Sequence, residues 1–301
     1  MRTNIEFLYA RSGRFFLPVF VFAFSILPQI GCSKSASPDE QADEPIPAQA
    51  AAPHRDKLTL PKVFADLPLS FNGALKVELK DAVPLEPNDK PGGEGPQRVH
   101  LTIEGGYADQ VRDSAFSPGI AVYDVEEFRE VLATQPRTLD GFKKRLESLR
   151  SLLNEKQLPN VQDEIEIVRY IEPEQVLRAH SKFVTFKEGY AIAYLTQFQP
   201  DAGYITNCAL TYVVQGLTAD GKYYLFGTFP VRVDFLPDDS DIEDFEGYKI
   251  PAFTPDESEA LEHSRYLKRI EKRLEETSPQ KFQPDLGEID KLISSIEIRS
   301  E

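Results

Sequence analysis

The chain has 301 residues, and its 49 aspartates and glutamates against 34 lysines and arginines give a formal net charge of −15 at pH 7. Such an acidic surface repels phosphate backbones, so we expect no nucleic-acid partner. The two cysteines, Cys32 and Cys208, are too few for a disulfide framework, but a chain of this length can build its own core without one.

The N-terminal segment has the pattern of an export signal. Arg11 and Arg14 precede an apolar stretch, residues 15–30, that is interrupted only by Pro18, Ser25, Pro28 and Gln29. Its uninterrupted apolar length falls short of the roughly 20 residues that a membrane-spanning helix needs. The pattern therefore predicts a signal peptide over residues 1–31, and a buried core helix is the weaker alternative because the stretch has no polar face.

The end of this stretch, Gln29-Ile30-Gly31-Cys32-Ser33, resembles the lipobox of bacterial lipoproteins. The resemblance implies cleavage before Cys32 and a diacylglyceryl group on its sulfur, and Ser33 favours sorting to the outer membrane where one exists. Gln29 departs from the aliphatic residue usual at its position. Simple secretion stays the alternative, and a Cys32–Cys208 disulfide would then be possible.

Residues 33–52 are almost wholly Ser, Pro, Ala, Gln and acidic residues. They have too little apolar surface to offset the entropy lost on folding, so we expect a flexible tether. The predicted organisation is a signal peptide over 1–31, a lipidated cysteine and tether over 32–55, and a single domain over 56–301. Within that domain, Pro84 to Pro96 is predicted to be a long exposed loop.

The first half of the domain combines strand and helix patterns. Alternating apolar residues predict strands at Leu69–Leu79, Val99–Ile103 and Gly119–Tyr123. Asp124 is a predicted N-cap for a helix from Val125 to about Thr134. A second helix is predicted from Leu139 to Gln157, where one apolar face is formed by four residues at helical spacing: Phe142, Leu146, Leu149 and Leu153.

The second half is richer in strands. A strand is predicted at Glu164–Tyr170 and a short helix from Pro173, followed by strands at Lys182–Phe186, Gly189–Phe198, Ala209–Gly216 and Lys222–Val233. The dipeptide Asp220-Gly221 is predicted to supply the positive φ angles of a tight hairpin between the last two strands.

The C-terminal region is predicted to be mostly helical. Thr254-Pro255-Asp256-Glu257 is interpreted as a capping box that opens a helix to about Thr277. A short helix, Asp285 to Ile293, and a strand, Ile296–Ile298, follow. The whole pattern predicts an α+β fold, an antiparallel meander flanked by helices in layers.

Residues 189–198 (GYAIAYLTQF), 210–231 (LTYVVQGLTADGKYYLFGTFPV) and Leu236-Pro237 resemble an uncharacterised domain family of bacterial exported proteins and lipoproteins with an "LTQ…YxxQGLTxDGxYY…PV…LP" pattern. The similarity extends over about 180 residues, from the segment at 120–128 to that at 282–298. It implies an exported domain, often behind a lipid anchor, and it assigns no functional residues.

Few side chains in the sequence suggest a catalytic or metal-binding site. Cys208 and His180 could form a nucleophile and base, but a cysteine at a strand start is more often a small buried hydrophobe. The four histidines, His54, His100, His180 and His263, lack metal-ligand spacing, so we expect no metal and no cofactor. The acidic run at 238–247 has oxygen ligands suited to calcium but lacks the EF-hand glycine and final glutamate, which favours a solvated loop.

The tyrosines are the last candidates for a ligand-binding site. Six of them could line a groove on the sheet, although strand tyrosines usually pack against helices: Tyr190, Tyr194, Tyr204, Tyr212, Tyr223 and Tyr224. From the whole sequence we expect a membrane-tethered bacterial envelope lipoprotein, not an enzyme, whose domain binds a partner or has a structural role in the envelope. Its expected partners are the membrane, through its lipid, and an unknown envelope protein. A small-ligand carrier with an aromatic groove and a hydrolase using Cys208 are the alternatives.

Overall fold

The computed structural model describes residues 60–83, 95–160, 163–169, 171, 173–250 and 256–300. All of them belong to one compact unit, Arg55–Glu301. The predicted signal peptide, Cys32 and the tether lie outside the described residues, as does most of the predicted loop at 84–96. At the base of that loop, Val83 and Gly95 form an antiparallel bridge.

A seven-stranded antiparallel sheet forms the centre of the domain. Its strands, in spatial order, are β2 (Ala74–Lys80), β3 (Arg98–Glu104), β4 (Gly119–Asp124), β10 (Tyr223–Pro230), β9 (Thr211–Thr218), β7 (Gly189–Thr196) and β6 (Ala179–Phe186). The pairing of β4 with β10 joins two meanders, one from each half of the chain. The α+β fold with an antiparallel meander, as predicted, is confirmed.

Two short strand pairs lie outside this sheet. β1 (Lys62–Phe64) pairs antiparallel with the last strand, β11 (Glu297–Arg299), so that Lys62 lies opposite Arg299. β5 (Glu174–Gln175) pairs with β8 (Phe198–Gln199), which continues the chain just after β7.

Helices cover both faces of the sheet. They are α1 (Tyr107–Gln110), α2 (Val125–Val131), α3 (Pro136–Glu155), α4 (Glu257–Glu276) and α5 (Leu286–Ser295). The four apolar residues predicted to form the buried face of α3 are all buried. Asp124 caps α2 by accepting hydrogen bonds from the backbone N–H groups of Glu126 and Glu127, as predicted.

Successive side chains of each central strand enter opposite cores. In β9, Tyr212 and Val214 join α4 and α5 in one core, while Val213 and Leu217 join α2 and α3 in the other. Because both faces are covered, β9 and β10 are buried along their whole length. The architecture is therefore a three-layer arrangement with the sheet in the middle.

The turn from β9 to β10 follows the predicted chemistry with one difference. The Asp220 carboxylate accepts hydrogen bonds from the Thr218 hydroxyl at 2.6 Å and from the Lys222 N–H at 3.0 Å. Of the two turn residues predicted to have positive φ, only Gly221 does, at +70°. Asp220 stabilises the turn through its side chain and not through a left-handed backbone.

Two predicted elements between α3 and β6 are wrong. Residues 163–169 form no strand, although Ile165, Ile167 and Val168 are buried. Side chains from other elements hydrogen-bond the backbone of this segment. Gln215 is fully buried: its Oε1 accepts the Val168 N–H at 3.3 Å and its Nε2 donates to the Glu166 carbonyl at 2.9 Å. Arg145 donates to the Val168 carbonyl at 3.1 Å. A side-chain amide thus replaces the ladder that the apolar pattern had suggested.

The second error is the short helix predicted from Pro173. Glu174 and Gln175 instead form β5, because the chain here lies beside Phe198 and Gln199 and pairs with them. Tertiary pairing outweighs the local helix signal of a proline at the first position.

Several element boundaries also differ from the prediction. The strand predicted at Leu69–Leu79 begins only at Ala74, after a 3₁₀ turn at Leu69–Phe71 and a left-handed Asn72. The N-cap of α4 is Asp256, whose side chain accepts from the Glu259 N–H while the Glu259 carboxylate accepts from the Asp256 N–H. The capping box therefore lies two residues later than predicted; Thr254 and Pro255 lie outside the described residues.

Candidate functional site

Strand β2 is the feature of the described structure best placed to contact another molecule. It is one of the two end strands of the large sheet, β6 being the other, and it pairs with β3 on one side. On an end strand, the N–H and C=O groups of alternate residues point outward and are available to a further strand. No other strand in the described part of the chain pairs with this outer edge.

One face of β2 carries an exposed apolar stripe. Val77 and Leu79 are 50% and 54% exposed, and Val83, just beyond the strand, is 43% exposed. Val77 and Leu79 continue the buried row on β3, since Val77 lies opposite Leu101 and Leu79 opposite Val99. The core therefore extends outward to the sheet edge and ends there in side chains that meet solvent.

The other face of β2 is charged. Glu78 lies between two lysines, 2.6 Å from the Lys76 Nζ and 2.8 Å from the Lys80 Nζ. Hydrogen bonds from Lys76 and then from Lys80 lower the pKa of the Glu78 carboxyl to about 2. Glu78 thus stays ionised at any physiological pH, and the strand presents fixed charges in the order plus, minus, plus.

A cleft of about 540 Å³ opens at one end of the sheet, between the β6–β7 turn, the β9–β10 turn and β11. Its charged groups are engaged by neighbours: Lys187 pairs with Glu297, and the Glu188 carboxylate accepts the Ile298 N–H at 2.7 Å. These contacts attach the last strand to the sheet, which is a structural role.

A second cleft, of about 410 Å³, lies between α4 and the loop after α3. Arg178, only 5% exposed, lines it and donates to the carbonyls of Pro159, Asn160 and Asp163. Burial raises the pKa of the nearby Glu271 carboxyl. The Arg178 guanidinium holds the loop after α3, so this cleft too has mainly a structural role.

The six tyrosines considered for a groove do not lie together. Tyr194 and Tyr224 belong to the core under α2 and α3, whereas Tyr204, Tyr212 and Tyr223 belong to the core under α4 and α5. The sixth, Tyr190, is 40% exposed, and its ring contacts the Lys156 ammonium at 4.3 Å. Because the sheet separates the two buried sets, they cannot form a single groove.

The structure does not bring Cys208 and His180 together. Cys208 is half-buried, and its sulfur lies 3.3 Å from the Thr206 hydroxyl oxygen. The His180 imidazole instead lies 2.9 Å from the Leu274 carbonyl, through Nε2, and packs against Phe282. Neither residue hydrogen-bonds the other in the described structure.

The acidic run at 238–247 caps its own backbone. The Asp239 carboxylate accepts the Asp241 N–H, and the Asp244 carboxylate accepts the Gly247 N–H, both at 2.9 Å. Among the described residues, no group of three or more His, Cys, Asp and Glu side chains is arranged to hold a metal ion.

The residues that carry the anchor prediction, Cys32 and the segment around it, lie outside the described residues. In the part of the chain that is described, none of the helices has the length and apolar character to cross a membrane. No family model, no curated protein and no solved structure matches the chain.

The sequence alone does not show that β2 is an exposed edge. Its alternation of Leu75, Val77 and Leu79 with charged residues was visible, and it predicted a half-buried strand. That pattern does not state whether a strand has one neighbour or two. The lysines of β2 are a signal of an end strand, since charged side chains, and lysine above all, are common on the end strands of sheets.

Proposed function

We propose that this protein is a lipid-anchored protein of the bacterial envelope that acts by binding a protein partner along β2 and catalyses no reaction. The observation that carries the proposal is the exposed edge of β2, with the exposed Val77 and Leu79 on one face and fixed charges on the other.

Strand addition is the mode of binding that this edge favours. A partner strand alongside β2 would form hydrogen bonds with its outward-pointing N–H and C=O groups, and these bonds would supply affinity. The alternating side chains of β2 would supply specificity. Each backbone hydrogen bond contributes about 0.5–1.5 kcal/mol net, and each well-matched cross-strand pair adds about 0.2–1 kcal/mol. These contributions are large enough for specific association between molecules confined to one membrane surface.

Three sequence features support the anchor. They are the apolar stretch at 15–30, the Gly31-Cys32 pair and the tether-like composition of residues 33–52. Because the chain carries a strongly negative net charge, electrostatic attraction to anionic lipids would be weak, so acyl chains would have to supply the membrane affinity. The resemblance of residues 189–237 to an exported domain family points to the same location.

The anchor is tested by the intact mass of protein extracted from bacterial membranes. We expect cleavage before Cys32 and an added diacylglyceryl group, with or without a further acyl chain. A Cys32→Ala variant should lose the adduct and leave the membrane fraction. A mature protein that carries no lipid would overturn the anchored location.

Partner binding is tested by placing a photo-activated cross-linking amino acid at position 77 in the full chain and irradiating intact cells. We expect a discrete adduct from position 77 and none from position 143, since Lys143 is an exposed residue on α3, away from β2. The adduct at 77 should disappear when Leu79 is also changed to Asp. Equal labelling from both positions would contradict binding at the edge.

A further inference from the structure

We propose that the partner at β2 is a second copy of this chain, paired edge to edge so that the two seven-stranded sheets become one continuous sheet. The inference rests on the proposed function, because it identifies what occupies the same edge. It goes further by fixing the stoichiometry, the symmetry and the register of the complex.

The sequence of β2 is complementary to itself when it is reversed. In an antiparallel pair centred on Val77, this residue lies opposite Val77 of the second copy, and Leu75 lies opposite Leu79. On the other face, Lys76 lies opposite Glu78, and by symmetry Glu78 lies opposite Lys76. Apolar residues therefore meet apolar residues, and both ion pairs form between opposite charges.

Other registers lose this match. Centring the pair on Glu78 places Glu78 against itself and Lys76 against Lys80, and centring it on Lys76 places two lysines together. Centring it on Leu79 allows Glu78 to meet Lys80 but sets Val77 against Asp81. A shift to a centre between residues brings the apolar face of one strand against the charged face of the other. Of these registers, only the Val77-centred one pairs apolar residues on one face and Lys76 with Glu78 on the other; Lys80 then lies opposite Ala74.

Charge also favours a copy of this chain over an unrelated acidic or basic strand. Every charge that Lys76 and Glu78 present to the outer edge is met by its opposite, so the contact can form between two molecules that each carry a strongly negative net charge. An acidic partner would leave Glu78 facing a like charge, and a basic partner would leave Lys76 and Lys80 doing so.

The test uses two copies of the full chain with different C-terminal tags, expressed together, extracted in detergent and purified through one tag. The wild-type copies should co-purify. Lys76→Glu in both copies replaces both ion pairs by pairs of glutamates, and Glu78→Lys in both copies replaces them by pairs of lysines. Each change should lower the recovered second copy by at least about tenfold.

The decisive arm combines the two single variants, Lys76→Glu in one copy and Glu78→Lys in the other. The two introduced side chains then meet as an ion pair of reversed polarity, and the unchanged Glu78 of the first copy meets the unchanged Lys76 of the second. Recovery should therefore return to near the wild-type level. Within each single-variant chain the Lys76–Glu78 ion pair is still lost, so a purely intramolecular effect would not be rescued.

The matched charge control is Lys143→Glu in both copies, which should leave recovery of the second copy unchanged. Thermal unfolding of each variant verifies that it is folded. Co-purification that is insensitive to the single variants, or that is not rescued in the mixed pair, would overturn the proposal.

The mass of the photo-adduct at position 77 distinguishes a second copy of this chain from a different partner at the same edge. An adduct of twice the chain mass supports the second copy. An adduct of another mass, with no co-purification of the two tags, contradicts the second copy and leaves binding at the edge standing. No adduct at all removes both.

Discussion

Gln215 provides a sharp test of how the domain is held together. Its side chain is fully buried in β9 and replaces strand pairing for the segment at 163–169. Substituting Leu keeps a similar volume but removes both hydrogen bonds, to the Val168 N–H and the Glu166 carbonyl. The Tyr224 hydroxyl, 3.4 Å from the Gln215 Oε1, loses its acceptor as well.

The expected loss of stability depends on whether each group that hydrogen-bonds Gln215 can find another hydrogen-bond partner. Val168 is fully buried, so its N–H is left without water, at about 1–3 kcal/mol. Glu166 is exposed, and its carbonyl can turn to solvent, so it adds little. The additional apolar surface of Leu offsets part of the loss. We expect Gln215→Leu to lower the free energy of unfolding by about 2 kcal/mol, a fall in Tm of roughly 4–8 °C.

Thermal and chemical unfolding, followed by circular dichroism, measure the effect, and hydrogen exchange at the Val168 amide locates it. The matched control is Gln175→Leu, because the Gln175 Oε1 is buried with no hydrogen-bond partner in the described structure. Its removal should cost little or nothing. Equal destabilisation by both substitutions, or an unchanged Tm for Gln215→Leu, would refute the assignment of this amide as a substitute for backbone pairing.

Three further predictions concern other parts of the domain. Burial lowers the pKa of His263, which hydrogen-bonds the Tyr248 hydroxyl, below its usual 6.5. The unfolded chain therefore binds the proton more readily, so stability should fall as the pH drops below about 6.5. His263→Gln should flatten the stability profile measured between pH 5 and pH 7.5. Asp256→Ala removes the cap of α4 and should cost about 1 kcal/mol in denaturant unfolding, whereas no loss would contradict the observed cap. A Cβ at Gly216 would lie 2.6 Å from the Tyr190 carbonyl oxygen, so Gly216→Ala should destabilise by about 1–3 kcal/mol, seen as a lower Tm.

Much of the fold could be predicted from local patterns. The helix α3 followed from four apolar residues at helical spacing, and the β9–β10 hairpin followed from Asp220-Gly221. These predictions are confirmed because the same local signal that the sequence carries is what stabilises the element. The capping of α2 by Asp124 belongs to the same class.

The errors occur where a distant residue decides the conformation. The segment at 163–169 is apolar enough for a strand, but side chains distant in sequence, Gln215 among them, hydrogen-bond its backbone instead. Pro173 opens a strand pair with Phe198 because the two segments meet in the fold. The same holds for the candidate site. The alternation in β2 is visible in the sequence. Its position at the end of the sheet, however, depends on which strands pair, and strand pairing is a property of the whole topology.

The pairing of β1 with β11 has a practical consequence. Since Lys62 lies opposite Arg299, the chain enters and leaves the domain at neighbouring points. A short linker could therefore join these two points, and a circular permutant with new termini in a surface loop should keep the fold. The same closeness means that a fluorescent protein fused after Arg299 would emerge beside Lys62, at the point where the described chain enters the domain.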